Sequence, residues 1–211
     1  MKNSDKLKRY SMFIAGVIFS ALGISLITKA GLGTSPITSL AFVLTFIFPH
    51  SLGEFTMLVN TVMFLIQAAL LGKAFGKVQL LQLPAALLFS ACIDGWMYIL
   101  GFWKTGSYVG QVLMLLLGCV FLGLVIAFEV IPNVLILPGE GLVRVIAGLT
   151  GWRFGLVKTG FDMSIVASAV GVSLFFTGHV LGIREGTVLA ALIVGSISHF
   201  FIEKVSNVLE R

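Results

Sequence analysis

The chain has 211 residues, of which 58% are hydrophobic and 11% charged, with a mean hydropathy of +1.07 and a formal net charge of +5. Soluble domains carry about 25% charged residues and need a polar exterior, so this composition excludes a water-soluble fold. In lipid every backbone polar group must be satisfied internally, which leaves helices or closed barrels. Barrel strands alternate apolar and polar residues, whereas the apolar runs here are continuous. The expected class is therefore all-α: a polytopic membrane helix bundle forming one domain over residues 1–211. No solvated domain is left to offer nucleic acid a basic face, and membrane topology accounts for the positive charge.

In chain order, Lys2, Lys6, Lys8 and Arg9 precede Met12–Thr28, 17 residues without a charge. Secretory signal cores run to about 7–15 residues, so this stretch reads as a retained first span. With about 20 apolar residues needed per crossing, six spans are expected, at 10–29, 54–72, 79–102, 108–130, 156–177 and 186–204. Two apolar segments are too short or too interrupted to cross. They are 35–48, between Pro36 and Pro49, and 139–151, opened by Pro138-Gly139-Glu140-Gly141 and closed by Gly151. Segments of this length read as re-entrant or surface-lying helices, and proline is tolerated in their first turn. Cys92 and Cys119 fall inside apolar stretches and read as small buried hydrophobes.

With the N-terminus inside, eleven basic residues lie on the inner side, including Lys73, Lys77, Arg144, Arg153 and Lys158, against Lys29, Lys104 and Arg184 outside. This bias predicts that both termini are cytoplasmic. Trp103 and Trp152 fall at the expected span ends, where aromatic belts lie.

An offset of 102 residues aligns the two halves without a gap from about residue 10 to 62. Met12 falls on Met114, Gly16 on Gly118, Pro36 on Pro138, Leu40 on Leu142 and Gly53 on Gly155. After a four-residue slip, Gly72 and Gly76 fall on Gly178 and Gly182. The expected repeats are 10–102 and 108–206, each a span, a short helix and two further spans. Three spans per repeat turn the second unit over, the inverted-repeat plan of many secondary transporters.

Paired interrupted helices are the best sequence pointer to a transporter's binding site, because a helix N-terminus offers free N–H groups and partial positive charge. The two N-termini here carry Ser35, Pro36 and Thr38, and Gly139, Glu140 and Gly141; Thr38 and Glu140 are repeat mates. In the following spans Thr56 and Asn60 fall on Lys158 and Asp162, each pair sharing a helix face at i, i+4. Intramembrane charge usually faces a cavity or a partner. The expected solute site is therefore Ser35, Thr38, Asn60, Gly139, Glu140, Gly141, Lys158 and Asp162. A local ion pair between Lys158 and Asp162 would equally explain those two residues. Asp94, the lone charge of span 79–102, and Asp162 are candidate proton carriers; a hydrogen-bonded packing role would also suit Asp94.

The chain has no HExxH, GxSxG or P-loop motif. His50, His179 and His199 lack ligand spacing, so neither an enzyme nor a metal or other cofactor is expected.

Lys29-Ala30-Gly31-Leu32-Gly33-Thr34-Ser35-Pro36, Pro138-Gly139-Glu140-Gly141-Leu142, Phe154-Gly155 with Lys158 and Asp162, and Arg184-Glu185-Gly186-Thr187 together resemble the bacterial YczE/YyaS/YitT-type membrane proteins. The resemblance covers nearly the whole chain. It implies a bacterial inner-membrane protein and assigns no activity or functional residue. The residues themselves lead to an expected transporter for a small anionic or zwitterionic solute, proton coupling being one option. The alternative is a non-transporting accessory protein that binds a partner protein or a lipid. The expected partners are the bilayer and the solute, and a homodimer is one arrangement in which so small a bundle would enclose a pathway.

Overall fold

In the computed structural model, residues 3–103, 106–130, 135–194 and 197 are described. The described residues form eight α-helices joined by short 3-10 turns and loops. They are α1 (Asn3–Lys29), α2 (Ser39–Ile47), α3 (Leu52–Leu71), α4 (Gln82–Ile99), α5 (Tyr108–Val130), α6 (Pro138–Thr150), α7 (Phe154–Thr177) and α8 (Glu185–Val194). A 3-10 turn at Pro36–Thr38 leads into α2, and another at Lys77–Leu81 leads into α4.

Four helical stretches are long and apolar enough to cross a bilayer: Tyr10–Lys29, Leu52–Ala74, Lys77–Phe102 and Phe154–Thr177. The described apolar stretches at Tyr108–Gly123 and Glu185–Val194 are shorter. Most of the sixth expected span beyond residue 194, with His199, lies outside the described residues.

The punctuation read from the sequence has a local physical basis. Pro36 and Pro138 each occupy the first turn of a short helix, where the missing N–H would have had no helical partner. The aligned glycines Gly72 and Gly178 both follow long helices, α3 and α7, with positive φ of 50° and 72°. A side chain strains that conformation. α3 opens on a capping box, in which Ser51 Oγ accepts from Glu54 N at 3.0 Å and Glu54 Oε2 accepts from Ser51 N at 2.9 Å.

The core is built around α1. Its side chains Val17, Ala21, Ile24 and Ile27 are buried together with Leu115, Cys119 and Leu122 of α5. The α1–α5 crossing is tight because of two glycines. A methyl on Gly23 would meet the backbone of Gly118 and Leu122, and one on Gly118 would meet Gly23 O and Ile27. Small residues at a crossing let helix backbones approach closely in lipid. α4 is tied to α1 by Trp96 Nε1, which donates to Ile18 O at 3.1 Å. Each short helix packs on a long helix of the other half of the chain, α2 on α7 and α6 on α3.

Candidate functional site

The two short helices converge at their N-termini. Ile37, in the turn before α2, fills the space beside Gly139 in the first turn of α6. Around that meeting point lies a cavity of about 560 Å³, bounded by the Pro36–Thr38 turn and by residues of all eight helices.

Ser35, Thr38, Asn60, Glu140, Lys158 and Asp162, read separately from the sequence, all line this cavity. Its charges come from the second half of the chain. Lys158 Nζ lies 2.7 Å from Asp162 Oδ1 and 3.8 Å from Glu140 Oε1, with each side chain only partly exposed. The local ion pair at i, i+4 is therefore formed, and Glu140 joins it from α6. The first half supplies neutral polar groups. Asn60 Nδ2 donates to Thr56 O at 2.9 Å, and Thr56 Oγ1 donates to Leu52 O at 2.7 Å, bonds that hold both side chains against α3. Thr56, Asn60, Lys158 and Asp162, the pairs that the 102-residue offset aligns, thus share one cavity.

Thr38 is positioned by a buried run of hydroxyls. Thr28 Oγ1 lies 2.7 Å from Thr34 Oγ1, which lies 3.1 Å from Thr38 Oγ1. Thr28 also approaches Ile24 O at 2.8 Å, and Thr38 approaches Ser35 O at 3.1 Å. Three hydroxyl protons cannot fill four contacts at once, so the run can switch its direction of donation.

Gly139 and Gly141 do not join the lining. Their missing side chains make room for Ile37 and for the amides of Gln67 and Gln82. Asp94 also lies apart from the cavity. Its Oδ2 accepts from Ser51 Oγ at 2.6 Å and its Oδ1 accepts from Gly53 N at 2.7 Å, so the carboxylate caps the start of α3.

Three features were not singled out as site residues from the sequence. Arg144, four residues after Glu140 on α6, lines the cavity; its i, i+4 relation to Glu140 was the available signal. Trp152, expected only at a span end, lines it as well. Thr34 and Thr187 form a clamp between the loop after α1 and the start of α8: Thr34 N donates to Thr187 Oγ1 at 3.1 Å, Gly186 N to Leu32 O at 2.8 Å and an Arg184 guanidinium nitrogen to Gly31 O at 3.1 Å. Gly33 sits in this clamp at φ 127°, and a methyl there would overlap Thr187 Oγ1. No group of three or more His, Cys, Asp and Glu residues able to hold a metal occurs among the described residues.

Long apolar helices, together with membrane-protein relatives, define the class as helical membrane proteins. Residues 7–203 match the DUF6198 family, a family of unknown function, and the chain belongs to it. The uncharacterised membrane protein YczE of Bacillus subtilis (strain 168) is 27% identical over 202 residues, covering 95% of this chain and 88% of that protein. The uncharacterised protein YyaS of the same organism is 27% identical over 203 residues, covering 94% of each chain. No solved structure matches.

Proposed function

We propose that this protein binds a small zwitterionic or anionic solute in the 560 Å³ cavity and carries it across a bacterial cell membrane. In this reading the two halves are inverted repeats, both termini are cytoplasmic and the short helices are half-helices meeting at mid-membrane. The observation that carries the reading is the meeting of two proline-opened helices, one from each half, beside a charged cluster in one cavity. Broken helices of this kind present N–H groups and partial positive charge to a solute's anionic end.

The charge balance supports a zwitterion. Two carboxylates, Glu140 and Asp162, face two cations, Arg144 and Lys158, along one cavity. Asp162 is matched closely by Lys158, whereas Glu140 at 3.8 Å is beyond direct hydrogen-bond reach and is the better placed to receive a solute ammonium. Asp162 is the stronger proton-carrier candidate, because both oxygens of Asp94 are engaged by the start of α3. The clamp between residues 31–34 and 184–187 joins the loop after α1 to the start of α8, two segments that the charge count assigns to the outer side, and we read it as the closed outer gate.

Much of the cavity wall is apolar, with Ile24, Val59, Met63 and Phe89 among its residues. This favours one second reading, a non-transporting accessory protein whose cavity holds a lipid, with the headgroup on the charged cluster. Flux separates the two. Purified protein in liposomes, assayed against a pool of labelled amino acids and other small zwitterions, is expected to move at least one member. Glu140→Gln combined with Asp162→Asn is expected to abolish that movement. No flux of any pool member by protein shown to be folded would contradict transport and leave the lipid reading.

A further inference from the structure

A second, smaller cavity of about 170 Å³ lies against the first and shares Arg144 and Ile136 with it. Its lining includes Gln67 from α3, Gln82 from the start of α4 and Gly141 from α6. Gln67 and Gln82 are only 2% and 4% exposed, yet neither Oε1 has a hydrogen-bond donor among the described residues. Glycine at 141 keeps their space open, since a methyl there would run into Gln67 Oε1 and crowd Gln82 Nε2. Buried acceptors without donors are costly, and an occupant able to donate would relieve that cost after a small rotation of the amides.

We propose that this annex is a subsite for a neutral hydrogen-bond-donating group, a hydroxyl or a carboxamide, at the far end of the solute bound in the large cavity. The proposal rests on the solute-binding reading of that cavity. Arg144 decides the charge class. It lines the annex, and its positive charge disfavours an ammonium or guanidinium tail there, while a hydroxyl or amide oxygen suits it. The annex thereby sets which zwitterions are preferred, and Glu140 and Lys158 set that a zwitterion binds at all.

The test uses the purified full chain in nanodiscs and thermal stabilisation by matched amino-acid pairs, since a ligand that binds the folded state raises its melting temperature. The pairs are L-homoserine with L-norvaline and L-glutamine with L-norleucine; each first member carries the donor, and L-ornithine serves as the cationic control. The expected result is that the donor-bearing member of at least one pair binds about 10-fold or more tightly than its apolar mate, and more tightly than ornithine. Gln67→Leu with Gln82→Leu is expected to erase that preference while both members still bind. Gly141→Ala, whose methyl presses on the Gln67 and Gln82 amides and narrows the annex without removing a polar group, is expected to do the same and guards against misfolding of the double variant. Stabilisation without preference in the wild type, or a preference that survives in both variants, overturns the annex. A failure of every probe to stabilise the wild type contradicts the zwitterion cavity itself, and the annex falls with it.

Discussion

Asp94 and Lys158 have similar sequence signatures, a charge inside an apolar run, and the structure gives them different work. Asp94 accepts from Ser51 and from the backbone of Gly53, so its removal takes away a helix cap and leaves a buried donor unmatched. Asp94→Ala is expected to destabilise the fold by about 1–2 kcal/mol. It should lower the melting temperature of detergent-purified protein by several degrees without changing solute affinity. Lys158 sits between two carboxylates. Lys158→Met leaves Asp162 without its partner, and losing one member of a buried pair costs about 3–5 kcal/mol when exposure is nil and less here, where the side chains keep some access. Replacing both, Lys158→Met with Asp162→Leu, is expected to restore much of the melting temperature, because apolar substitutes for a buried ion pair are often neutral. Solute binding should stay lost. Recovery of binding along with stability would show that the pair serves only the fold.

At the scale of elements, the α1–α5 crossing and the loop clamp hold the cavity's frame. Gly23→Val inserts a branched side chain against the Gly118 backbone. Overpacking of this kind costs about 1–3 kcal/mol or more, so the melting temperature should fall further than for Asp94→Ala. Thr187→Val removes the acceptor for Thr34 N. If the clamp is a gate, its loss should cost only about 1 kcal/mol of stability while shifting the balance toward an outward-open state, read as increased labelling of a cysteine at position 38 from outside. The elements themselves were largely legible: proline at two helix starts and long uncharged runs announced them, because in lipid the hydrophobic pattern and the demand for internal hydrogen bonds act together. The clamp was not legible, since Thr34 and Thr187 are 153 residues apart and no spacing rule pairs the two motifs in which they lie. Arg144 was hidden for another reason: a basic residue near an inner span end is fully accounted for by membrane topology. The annex depends on where two glutamine side chains come to rest, which no spacing rule gives.

For the whole molecule, the six cavity residues foreseen from the sequence came from a comparison of the two halves rather than from any single motif. Thr56 and Asn60 drew attention only because they align with Lys158 and Asp162, and all four line one cavity. The proposed inversion of the halves would give that alignment its meaning. On the proposed reading the loop after α3 and the loop after α7, opened by the aligned Gly72 and Gly178, correspond to each other, and inversion requires them on opposite sides of the bilayer. The direct measurement replaces Cys92 and Cys119 with serine, introduces Ala74→Cys or Val180→Cys, and labels intact spheroplasts with a membrane-impermeant maleimide. The account predicts labelling at position 180 in intact spheroplasts and at position 74 only after permeabilisation. Labelling of both positions from the same side would contradict it.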